Sequence, residues 1–65
     1  MNWDTLHGNW SQMKGEAKRQ WGKLTDDDLK VIEGNRDKLV GRIRELYGME
    51  KDAAERDVDT WVARH

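Results

Sequence analysis

Six glycines fall into two sets of three, and their spacing limits this chain more than any other feature. Gly8, Gly15 and Gly22 stand seven residues apart, as do Gly34, Gly41 and Gly48. A shift of 26 positions carries the first set onto the second. The same shift brings Asn9 onto Asn35, Met13 onto Leu39, Ala17 onto Ile43, Lys18 onto Arg44 and Trp21 onto Tyr47. The pattern predicts two similar units, each a longer helix followed by a second one, packed as two crossed α-hairpins. Gly15 and Gly41 then lie mid-helix, where glycine costs up to about 1 kcal/mol relative to alanine. The expected compensation is close approach of another helix at those points.

The apolar residues supply the helices. Leu6, Trp10, Met13, Ala17 and Trp21 are spaced by four, three, four and four, which puts them on one face of a continuous first helix ending near Gly22. Thr25 followed by Asp26, Asp27 and Asp28 reads as an N-cap with carboxylates in the first turn, where the helix dipole favours them. This short second helix turns Leu29 and Ile32 inward, with Val31 at the margin of that face, and stops at Gly34. A third runs from the N-cap Asn35 to Tyr47, with Leu39, Ile43, Leu46 and Tyr47 inward and Val40 at the edge. A fourth begins near Glu50, with Ala54, Val58, Trp61 and Val62 as its apolar stripe. No run of alternating β-branched residues predicts a strand. The fold class expected is all-α: residues 1–65 as a single four-helix domain.

A chain of 65 residues has a thin core. It has no cysteine, so disulfides and thiolate metal sites are excluded, and its two histidines, His7 and His65, lie near opposite ends. No metal or cofactor is expected. Charged residues make up 38% of the chain but nearly cancel, leaving a net charge of −1 and no global field to draw in nucleic acid or an anionic membrane. No apolar run approaches the roughly 20 residues of a membrane span. The first residues lack the basic-then-apolar order of a signal peptide, so the expected compartment is the cytoplasm.

Few residues offer chemistry. His7 and Ser11 are four apart, with no orienting acid and no oxyanion hole in view, so no enzyme is expected. The Asp26–Asp28 run lacks the alternating ligands and central glycine of an EF-hand and is better read as a helix N-terminus. Arg36, Lys38, Arg42 and Arg44 on the third helix are the candidate nucleic-acid-binding residues, opposed by Asp37, Glu45 and the acidic second helix. Trp10, Trp21 and Trp61 fit apolar helical faces and are expected in the core. Trp3 lies outside the pattern, either packed over the end of the bundle or exposed as an anchor for a partner.

Gly8-Asn9-Trp10, the stretch from Gln20 to Leu29 with its Trp-Gly-Lys-Leu-Thr-Asp-Asp-Asp core, and Gly34, Arg36-Asp37, Leu39-Val40-Gly41, Tyr47-Gly48, Lys51-Asp52 and Trp61 together resemble the CsbD-like family of small bacterial stress proteins. The resemblance implies a SAM-domain-like arrangement of two crossed α-hairpins and a role in the general stress response. It brings no catalytic or cofactor-binding residues. The function expected is therefore that of a non-enzymatic binding module, with a hydrophilic protectant and a nucleic-acid binder as alternatives. A protein partner is favoured over nucleic acid, no membrane partner is expected, and the chain is either a monomer or a weak dimer.

Overall fold

Caps and turns set the helices before any tertiary packing does. In a computed structural model describing residues 2–65, the chain forms α1 (Trp3–Gly8), α2 (Trp10–Gln20), α3 (Asp26–Ile32), α4 (Arg36–Tyr47) and α5 (Lys51–Arg64), with no strand among the described residues. Asn2 caps α1, its Oδ1 accepting from the Thr5 N–H at 2.8 Å. Thr25 and Asp28 form a reciprocal capping box on α3: the Asp28 N–H donates to Thr25 Oγ1 at 3.1 Å and the Thr25 N–H to Asp28 Oδ2 at 3.0 Å. Asn35 caps α4 through the Lys38 N–H at 3.0 Å. Each arrangement satisfies a donor that the first helical turn leaves orphaned.

Among the described residues the all-helical class holds, but with five helices where the apolar spacing predicts four. The first stretch breaks at Asn9, whose φ of −109° and ψ of 22° leave the helical region. Gly8 and Asn9 are both weak helix formers, and asparagine competes for local backbone hydrogen bonds. The break bends α1 back so that Leu6 is fully buried, while the Asn9 carbonyl still accepts from Gln12 and Met13 and starts α2.

The 26-residue shift survives in the fold. It carries α2 onto α4 residue for residue at the start, Trp10 onto Arg36, and α3 onto the first half of α5 within one residue. Leu6, Ile32 and Val58 are successive steps of the same shift, and all three lie in the centre of the core. Around them pack Ala17, Leu24, Leu39, Ile43 and Ala54, and the most extensive helix interface joins α4 to α5.

Other expectations sort by burial. Trp21 and Trp61 are buried and meet edge to face, their ring centroids 5.1 Å apart. Trp10 and Trp3 are half-buried and pack against the core. Val40 is buried, not marginal. Tyr47, expected inward, is 38% exposed; its hydroxyl accepts from the Lys23 N–H at 3.1 Å and its ring lies under the Lys23 ammonium. A polar tip that finds a partner at the surface outweighs the burial of one ring face.

The mid-helix glycines differ from expectation. A Cβ at Gly15 or at Gly41 would meet nothing within 4 Å, so neither marks a close helix crossing inside this chain. The close approach occurs at Gly34 instead. Its φ of +76° is one that side chains rarely adopt, and a Cβ there would come within 2.8 Å of the His7 ring and 3.2 Å of His7 Cα. Gly34 is where the α3–α4 turn passes under α1.

Candidate functional site

A groove of about 690 Å³ runs between α2 and α3. Two polar contacts link the helices near its ends. At one end the Trp10 indole N–H donates to the Leu29 carbonyl at 3.1 Å; at the other Lys18 pairs with Asp26 at 2.9 Å. Gly15 lies on α2 between these ties and lines the groove with Trp10, Leu29 and Ser11. The rim carries Lys14 and Lys30 beside Asp27 and Glu33, none of which has an ion-pair partner among the described residues. The lining is thus an apolar strip with free charges of both signs along its edges.

The acidic run divides its work. Asp28 is buried at 7% exposure and accepts from Arg42 at 2.5 Å as well as closing the capping box. The Thr25 backbone N–H, and after it the Arg42 guanidinium, hold the Asp28 carboxyl below its ordinary range, against the opposing effect of desolvation. Asp26 is lowered by its hydrogen bond to Lys18. Among the described residues no three acidic or histidine side chains converge in a way that would hold a metal ion.

The four bases singled out on α4 do not form one surface. Arg36 donates through Nε and Nη2 to Asp59 at 3.1 Å each and lies 3.9 Å from Glu55, tying α4 to α5; the Asp59 carboxylate, first of all, raises its pKa. Arg42 ties α4 to α3 through Asp28 and also pairs with Glu45. Lys38 and Arg44 have no ion-pair partner among the described residues, and a helical turn of 100° per residue sets them about 120° apart around α4.

His7 and Ser11 are separated by the Asn9 break and line different clefts: His7 a small one with Trp3, Gly34 and Arg36, Ser11 the α2–α3 groove. Sequence reasoning missed this groove. Its signal was Gly15, a costly residue mid-helix, whose open side no periodicity argument identifies.

The comparisons with known proteins agree on one family. The CsbD-like family model matches residues 4–56. The UPF0337 protein YjbJ of Escherichia coli O6:H1 is 62% identical over 65 residues, covering all of this chain and 94% of that protein. A UPF0337 protein of Pectobacterium atrosepticum is 66% identical over the same shares, and one of Agrobacterium fabrum is 58% identical over 98% of this chain and 96% of its own length. A match across almost the whole chain, on a fold whose helices follow the 26-residue glycine pattern, shows that this protein belongs to the CsbD-like family.

Proposed function

We propose that this protein is a non-enzymatic binding module of the bacterial cytoplasm, acting in the stress response that the family resemblance implies, and that it seats a polypeptide segment in the α2–α3 groove. In this reading the fold is the expected pair of crossed hairpins, α2–α3 and α4–α5, with the first hairpin held open. Gly15 carries the proposal. Glycine in a helix interior costs about 1 kcal/mol, and nothing inside the chain approaches Gly15 closely enough to need it. Its bare backbone instead lets a partner's apolar side chain reach the strip beside the Trp10 ring. The free charges on the rim suit a segment with an acidic and a basic residue flanking that side chain.

A second reading rests on Lys38 and Arg44, the two of the four α4 bases without an ion-pair partner among the described residues, each of which offers a positive charge to a phosphate backbone. A hydrophilic protectant, the third, needs no groove at all. Amide NMR of the labelled protein separates them. One probe is a peptide with a leucine between glutamate and lysine; the other is mixed DNA and RNA at low salt. The groove reading expects peptide shifts confined to Ser11, Gly15, Lys18, Asp27 and Lys30, abolished by Gly15→Leu while the helical circular dichroism is kept. Shifts only with nucleic acid, centred on Lys38 and Arg44 and fading as salt rises, overturn it in favour of the second reading. No shift with either probe overturns both.

A further inference from the structure

The outward face of α4 sets a glycine, Gly41, between side chains of opposite charge, Lys38 and Glu45. Lys38, Gly41 and Glu45 project from α4 on the side opposite the buried Leu39, Val40 and Ile43. Gly41 forms a low saddle there: a Cβ on it would meet nothing within 4 Å beyond its own stretch of helix, and grooves of about 460 and 480 Å³ flank it. The lip of the first groove carries Val31, which at 66% is the most exposed large apolar side chain among the described residues. Lys38 has no ion-pair partner among the described residues, and Glu45, paired with Arg42, stays largely exposed.

These residues are self-complementary about a two-fold axis. When two α4 helices pack antiparallel and cross beside Gly41, each position pairs with the one that makes the residue numbers sum to 83. Lys38 of one copy then faces Glu45 of the other, twice over, and Gly41 lies beside the crossing point, where the helices must come closest. In such a pair α3 of both copies lies on the same side of the crossing, so each Val31 is covered by the other copy's α3–α4 groove. A parallel pairing sets Lys38 against Lys38 and Glu45 against Glu45. We propose that the protein forms a weak antiparallel homodimer through this α4 face, with Gly41 at the crossing and two Lys38–Glu45 pairs at its flanks. The occupant is a second copy because the charges and the apolar side chain complement their own symmetry mates. This inference uses a different surface from the α2–α3 groove and does not depend on it.

Sedimentation equilibrium of the intact protein over a series of concentrations tests it, with circular dichroism confirming the fold of each variant. The wild type is expected to show a monomer–dimer equilibrium that weakens as salt screens the ion pairs. Lys38→Glu, which opposes like charges at both flanks, is expected to weaken dimerisation at least about tenfold. The charge-swapped double variant Lys38→Glu with Glu45→Lys is expected to recover it, and Gly41→Leu to abolish it by blocking the crossing. A wild type that stays monomeric up to about 1 mM overturns the proposal, since that limit leaves only about 4 kcal/mol of association. So does a dimer indifferent to Lys38→Glu or Gly41→Leu, or a double variant that fails to recover.

Discussion

Asp28 concentrates two functions in one buried carboxylate. It closes the capping box on α3, accepts from Arg42 across to α4, and sits at 7% exposure between them. Replacing it therefore breaks a helix start and an interhelical tie together. Its carboxyl ionises below the ordinary aspartate value in the folded state, so the stability it confers is present above the unfolded-state pKa, near 3.8. That stability is lost as pH falls through this value and on towards the lower folded one. Asp28→Asn should lower the melting temperature at pH 7, and the gap from the wild type should close as pH drops below about 4. Thermal melts at a series of pH values check this; a gap that stays constant down to pH 2 would show that the charge of Asp28 is not what matters. Asp26 makes a useful contrast. Its partner Lys18 and its own side chain are largely in water, where such pairs contribute little.

At the scale of elements, α1 is the weakest part of the design. It has six residues, too few to persist alone, and one fully buried anchor, Leu6. Leu6→Ala should cost about 2–5 kcal/mol. Much of that loss should appear locally: hydrogen exchange is expected to quicken first at the amides of Leu6 and Asn9, while α4 and α5 keep their protection. Uniform loss of protection would mean that α1 and the rest of the core unfold as one unit. The residues that make the elements were largely legible in the sequence. Thr25 and Asn35 cap where their side chains predict, and the glycine shift aligns α2 with α4. The break at Asn9 was not legible, because the spacing of Leu6, Trp10 and Met13 is the same whether the helix runs straight or bends. Nor did the sequence reveal that Arg36 and Arg42 face carboxylates on neighbouring helices, since those partners lie 23 and 14 positions away. The open sides of Gly15 and Gly41 depend on how far neighbouring helices splay, which no local pattern records.

The whole molecule measures 27 × 23 × 18 Å and exposes 4311 Å², close to the roughly 4,300 Å² of a folded monomer of its 7.7 kDa mass. So small a body has one core shared by every helix, and the Trp21–Trp61 contact spans it, joining the end of α2 to the last turns of α5. Two indoles 5.1 Å apart and inclined at 66° lie close enough, and skewed enough, for their excited states to mix. Mixed transitions on a chiral frame give paired circular dichroism bands of opposite sign, and such a pair vanishes when either ring is replaced by phenylalanine. The expected spectrum is therefore that of the wild type showing a band pair which Trp21→Phe and Trp61→Phe each erase; bands that persist in both would show that the rings are not coupled. Such a band pair would make the two rings an optical gauge of whether α5 stays seated against the end of α2.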